Sequence, residues 1–191
     1  MEEKLQKLYN ECINELKTIN IDILDNPLIG EIDIKIAPRT AKRYGCCKQE
    51  EPDEKSRYTV KRGRHRIVKY EKFNKHHIEI SKWVMDLDDT IIKNTIMHEI
   101  IHCIPYCNNH GDTFKKYALY INKNLNYNIS RLGNKKEDYE KSNIDFEEEN
   151  DYKYKILCKE CGQIIYRKRL HKNFENRYRC GICGGKFEKI Y

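Results

Sequence analysis

No stretch of this 191-residue chain holds the roughly 18 consecutive apolar residues of a membrane span. The charged opening Met1-Glu2-Glu3-Lys4 does not lead into the apolar core of a secretory signal. A soluble, cytoplasmic protein is the expectation. That absence decides how the nine cysteines are read. In a secreted chain they would suggest a disulfide framework; in a reducing compartment, with two CxxC pairs present, metal binding is the better reading. No phosphate-binding loop and no internal repeat are present either.

Hydrophobic residues make up 39% and charged residues 35% of the chain, so a core is possible beneath a heavily charged surface. The length suits one core-bearing domain plus a small module. Charge is unevenly spread. Residues 1–133 hold 23 basic and 19 acidic side chains, residues 134–151 hold three and eight, and residues 152–191 hold eleven and three. The acidic middle reads as a linker, and the C-terminal piece has an anion-seeking surface.

The densest chemistry lies in His98-Glu99-Ile100-Ile101-His102. On a helix, positions four apart share a face, so both imidazoles can aim at one ion. Glu99 projects about 100° away, beside the pair, where a general base for a metal-activated water belongs. Catalytic zinc usually takes three protein ligands and keeps one position open. His110 is the predicted third ligand. Pro105 should end the helix, and Asn108, Asn109 and Gly111 supply turn chemistry that brings His110 back. A glutamate from the acidic segment, such as Glu137 or Glu140, ranks lower as third ligand, as does Cys107. For oxyanion stabilisation Tyr106, His76 and His77 are candidates without order between them.

Around this motif the periodicities predict a helix over about 2–19 and a strand at Ile32–Ile36. A second strand is expected over Arg39–Cys47, with Gly45 as a bulge or close-approach point, then a polar turn at Glu50–Lys55. Tyr58–Val60 resumes strand character. Lys61, Arg62, Arg64, Arg66, Lys69, Lys72 and Lys75 then fall against the single acid Glu71, a basic hairpin turning at Gly63. Tyr58, Tyr70 and Phe73 among these charges make nucleic acid a candidate partner, with Arg62, Arg64 and Arg66 as contacts. A strand at His77–Ile80, an N-cap at Asp88–Thr90 and a helix over about 112–125 complete this part.

The second constellation is Cys158-x2-Cys161 and Cys180-x2-Cys183, with the spacing of a closed four-thiolate zinc site. Strands at Tyr154–Leu157, Gln163–Tyr166 and Lys186–Tyr191 would make a zinc ribbon whose metal supplies its folding energy. A redox CxxC is the rival, but no βαβ pattern surrounds it. Tyr166, Arg167, Arg169, Tyr178 and Arg179 are the ribbon's candidate nucleic-acid contacts.

Taken together, HEIIH, His110-Gly111, Phe114, the Arg43-Tyr44-Gly45-x-Cys47 segment and the ribbon ending Cys180-Gly181-Ile182-Cys183-Gly184-Gly185 make the chain resemble the SprT-like zinc metalloprotease family. The resemblance implies zinc on His98, His102 and His110, a catalytic Glu99, and substrates among DNA-associated or DNA-crosslinked proteins. The expected architecture is α+β. A minigluzincin-like domain over 1–133 (N-terminal helix, small mostly antiparallel sheet, HExxH helix) is followed by an acidic linker over 134–151. A ribbon over 152–191 completes the chain. Two zinc ions, one catalytic and one structural, a monomer, and single-stranded DNA as a partner are expected. Substrate would pair with the edge of the Ile78–Ile80 strand. The alternative is a non-catalytic nucleic-acid adaptor whose HExxH metal is structural; a fourth protein ligand would mark it.

Overall fold

Apolar residues recur every three to four positions from Leu5 to Leu16, and they fold as helix α1 (Glu2–Thr18) with that stripe buried. Glu2 and Glu3 in its first turn and Lys17 in its last complement the helix dipole. The computed structural model describes residues 1–38, 42–131, 133–145 and 152–191. It divides into two units, Met1–Phe146 and Glu147–Tyr191.

In the first unit, strands β1 (Glu31–Ile36), β2 (Gly45–Pro52) and β5 (Phe73–Ile80) form one sheet in the order β1-β5-β2. Strand β1 runs parallel to β5 and β2 antiparallel to it, so the sheet is mixed rather than mostly antiparallel. Strand β2 runs on to Pro52, through part of the predicted polar turn, because Gln49 and Glu50 register against His76 and Lys75. The start of the predicted Arg39–Cys47 strand lies partly outside the described residues. Between β2 and β5, strands β3 (Arg57–Arg62) and β4 (His65–Tyr70) pair as a separate two-stranded ribbon.

This topology corrects one expectation. Strand β5 is central, paired on both sides, with Ile78 and Ile80 fully buried. It cannot accept a substrate by edge pairing. The free edge beside the core helix belongs to β2.

That helix, α2 (Asp89–Ile101), is capped by Asp88, whose carboxylate accepts from the Thr90 N–H at 2.8 Å. Ile91, Ile92, Ile96, Met97, Ile100 and Ile101 bury almost its whole circumference. Helix α1, the sheet and helix α3 (Asp112–Leu125) surround it. Such a buried helix holds its side chains at fixed positions, which suits a ligand-bearing element.

The predicted linker is corrected for its first half. Residues 135–141 form helix α4 (Lys135–Lys141). Tyr139 stacks on Trp83 with ring centroids 5.8 Å apart, and the Tyr44 hydroxyl donates to Asp138. The acidic composition concealed these anchors, since Tyr139 is the helix's one large apolar side chain. Residues 146–151 of the linker lie outside the described residues.

In the second unit, β6 (Tyr154–Cys158) pairs antiparallel with β7 (Ile164–Arg167) and β8 (Phe187–Lys189), and a short helix α5 (Phe174–Arg177) precedes the second cysteine pair. Ile156 and Phe187, with Phe174, Ile165 and Leu170 against them, are its small core.

Candidate metal centre

Helix α2 carries His98 in its last turn and ends at His102 as its C-cap. Each ring is oriented by a backbone carbonyl. The His98 Nδ1–H donates to the Ser130 carbonyl at 3.0 Å, and the His102 Nδ1–H donates to the Cys107 carbonyl at 2.6 Å. Both Nε2 atoms therefore carry lone pairs, and they face each other 3.3 Å apart. His110 returns from the loop, held by the Asn109 side chain accepting from the Gly111 N–H, and brings its Nε2 to 2.9 Å from that of His98. Phe114, 2% exposed, lies against all three imidazoles with centroid separations of 4.7–4.9 Å.

Lone pairs converging this closely repel unless a cation lies between them. Tetrahedral ligands about 2.05 Å from zinc sit roughly 3.3 Å from one another, close to the separations here. The donor set thus fits a metal ion. Among the described residues no fourth His, Cys, Asp or Glu joins these three. Burial lowers the pKa of all three rings, His98 to about 4, which keeps them neutral as ligands; the charge of Arg131 adds to the effect at His110.

Glu99 is 5% exposed and points toward β2 beside the triad. Burial pushes its carboxyl up to about 8, against the opposing charge of Arg43 and a hydrogen bond from the Cys47 N–H. The absence of a side chain at Gly45 makes this approach possible. A Cβ there would meet the Glu99 Cγ and Oε1 at 3.0 Å. The cleft around these groups has a volume of about 880 Å³, walled by β2 from Gly45 to Cys47 and by the Asn128–Arg131 segment among others.

With this geometry in view, a model of the SprT-like family matches residues 4–133. The chain belongs to the SprT-like family. No curated protein matches the chain.

In this SprT-like domain several candidates fall elsewhere. Tyr106 is exposed and bonds to Glu71. His76 is buried beneath the sheet with its Nδ1 unpartnered, and His77 bridges Asp33 and Glu50 at 3.1 Å each. None of the three lines the cleft that contains the triad, so they are withdrawn as oxyanion groups; Arg43 and Arg131 are the arginines that do line it. Cys107 serves through its carbonyl rather than its thiol, which burial pushes up to about 11. Glu137 bonds to Asn134 and Glu140 to Lys136, and neither joins the triad. Gly45 is the close-approach point expected from sequence, whereas the Ser130 carbonyl was not anticipated as an orienting element. That group has no sequence signal, because every residue offers a carbonyl.

The four cysteines of the second unit also converge. Cys158 and Cys183 Sγ lie 3.5 Å apart, and Cys161 and Cys180 Sγ 3.6 Å apart. The two CxxC turns repeat one design. The Gly162 N–H donates to the Cys158 carbonyl and the Gly184 N–H to the Cys180 carbonyl, with φ +71° and +73° at the two glycines. Backbone N–H groups aimed at Cys180 lower its thiol to about 7 and lower Cys158 likewise, while the neighbouring thiols help to raise Cys161 and Cys183, so the protons of the four are shared as a set. Four donors close a tetrahedron, so this cluster fits a structural ion.

The nucleic-acid candidates fall into two groups. Arg62, Arg64 and Arg66 are exposed on the β3–β4 ribbon, and Tyr166, Arg167, Arg169 and Tyr178 are exposed on the second unit. Arg179 differs, since its Nη1 donates to the carbonyls of Glu175, Asn176 and Tyr178 and so ties down the end of α5. Among the described residues no helix is long and apolar enough to cross a membrane.

Proposed function

We propose that the first unit is a minigluzincin-like zinc endopeptidase, and that its substrates are proteins on DNA. The observation that carries this reading is the meeting of three imidazoles, two of them oriented by backbone carbonyls, with a buried glutamate at the wall of an open cleft. His98, His102 and His110 would hold the zinc. A zinc ion there lowers the pKa of water to about 7 and polarises a carbonyl.

The remaining work falls to the chain itself. Glu99 takes the proton of the attacking water and delivers it to the departing amine. Its burial favours the protonated form that hands the proton on, while the charge of Arg43 and the Cys47 N–H favour the carboxylate that takes it. The β2 edge offers backbone groups to an extended peptide, replacing the β5 pairing expected from sequence. Arg131 stands on the cleft wall near His110, where a fixed positive charge can meet negative charge developing on the scissile carbonyl. The second unit, a zinc ribbon with exposed Tyr166 and Tyr178, offers unpaired bases a stacking surface.

Proteolysis of a DNA-binding protein, with and without DNA, tests this. Wild type is expected to cleave and Glu99→Gln to lose at least about a hundredfold while keeping its metal. Equal cleavage by both removes Glu99 from the mechanism. Cleavage indifferent to DNA separates the peptidase from the nucleic-acid claim.

A further inference from the structure

Among the described residues, the outer part of the β3–β4 ribbon packs on nothing else in its unit. Every residue from Thr59 to Val68 is exposed, so neither face packs on the protein. A two-stranded ribbon gains little stability by itself. This one also carries a feature that lowers it. Lys61 stands directly across the ladder from Arg66, a like-charge pair at the closest side-chain approach in a sheet. The pair next to the turn is Arg62 and His65. From Arg57 to Tyr70 there is no acidic residue. Among the described residues, the side chains of Arg57, Lys61, Arg62, Arg64, Arg66 and Lys69 make no hydrogen bond or ion pair.

The ladder register sets where these charges point. Residues opposite each other share a face. Arg57, Lys61 and Arg66 therefore project from one side and Arg62 and Lys69 from the other, with Arg64 at the turn beside Gly63. A flat acidic surface could meet only one side at a time. The walls of a duplex groove meet both.

We infer that the β3–β4 ribbon is an insertion element for the major groove of double-stranded DNA. The dimensions agree. Strands about 4.8 Å apart make a ribbon that the groove, roughly 12 Å wide, admits, and six residues per strand span about 20 Å. Unpaired strands are held by aromatic stacking as well as charge, and from Thr59 to Lys69 there is no Phe, Tyr or Trp and one imidazole, His65. Tyr70, at the base, is engaged with Phe73 and the Glu54 carboxylate. An RNA duplex fits less well, because its major groove is deep and narrow. This inference rests on the nucleic-acid part of the reading above and assigns the ribbon a ligand form different from that of the second unit.

The test uses the full chain and fluorescence anisotropy across a salt series. The probes are a DNA duplex, one of its single strands and the matching RNA duplex. Lys61→Gln/Arg62→Gln/Arg64→Gln/Arg66→Gln is compared with wild type and with the charge-retaining Lys61→Arg/Arg62→Lys/Arg64→Lys/Arg66→Lys. The glutamine variant is expected to lose at least about tenfold in DNA-duplex affinity at 0.1 M salt, with a salt slope flatter by roughly 0.9 per phosphate contact removed. Its single-strand affinity stays within twofold, and the charge-retaining variant keeps duplex binding. Melting temperature is expected to hold or rise, since a repulsion is relieved. Unchanged duplex binding, or equal loss on duplex and single strand, overturns the inference, as does equal loss on RNA. Ribbon-dependent binding of polyglutamate at comparable affinity identifies an acidic protein partner instead and overturns it too. A wild-type chain that binds no nucleic acid overturns this and the nucleic-acid reading together, while the Glu99 assay still decides the peptidase.

Discussion

Gly45→Ala isolates the placement of Glu99 from the binding of metal. The added Cβ would lie 3.0 Å from the Glu99 Cγ and Oε1 and 3.1 Å from the Glu79 carbonyl oxygen. Carbon contacts normally settle at about 3.5–4.0 Å, so one partner must yield by about half an ångström. Strand β2 cannot, because Gly45 is registered against Ile80 and the Glu79 carbonyl lies behind it. The Glu99 side chain is the flexible partner, and it would swing away from the Cys47 N–H. The three imidazoles stay where the Ser130 and Cys107 carbonyls and Phe114 hold them. Misplacing a catalytic group by up to an ångström costs about 10- to 100-fold in rate, and mild overpacking costs about 1–3 kcal/mol of stability. The expected outcome is a drop in kcat of that size with the metal content of wild type. Zinc per chain by atomic absorption and peptide-cleavage kinetics on one preparation check it. Activity within twofold of wild type would refute the argument that Gly45 exists to admit Glu99; loss of zinc in proportion to activity would move the defect to the ligands.

Three further outcomes are expected. His110→Ala should bind one zinc per chain where wild type binds two, and Cys180→Ala should lose the other, so that metal analysis of the pair assigns each ion to its unit. Phe114→Ala removes a buried ring from beneath three ligands; a stability loss of about 3–5 kcal/mol and zinc affinity lower by about 10- to 100-fold are expected, read by thermal melts and chelator competition. His76 is 1% exposed, and burial lowers its pKa from 6.5 to about 4. The unfolded chain accepts a proton that the folded chain refuses, so this contribution is complete above pH 6.5 and is lost as pH falls toward 4. At roughly 1.4 kcal/mol per unit it amounts to about 3–4 kcal/mol, and His76→Phe should flatten the acid side of the stability curve by that amount in urea titrations.

What could be read in advance was whatever depends on local period and ligand type. The spacing of His98 and His102 needs only a helix, and that of the cysteine pairs only two tight turns, so both clusters were legible. Helix α1 and strand β1 followed from the repeat of Leu5 to Leu16 and of Ile32 to Ile36. Strand order was not legible, because alternation at Ile78–Ile80 says that one face is buried and nothing about which strands lie to either side. Helix α4 was missed since its attachment depends on Trp83 and Tyr44, remote in sequence from Tyr139 and Asp138. The orienting acceptors of the metal centre were invisible for a different reason: backbone carbonyls carry no residue signature.

The two clusters differ in a way that bears on how they act. In the second unit four thiols face one point, and backbone N–H groups satisfy sulfur atoms around them, so an ion there has no position left for a substrate. In the first unit three imidazoles face one point, among the described residues no fourth donor joins them, and they line the cleft beside Glu99. Nothing in a folding role requires that opening, and a closed shell would hold α2 and the His110 loop together more firmly. A buried carboxyl with its pKa raised by desolvation is likewise a cost to the fold. Two costs set side by side at one cleft, each removable by a single substitution, support the proposed hydrolytic reading over a purely structural metal.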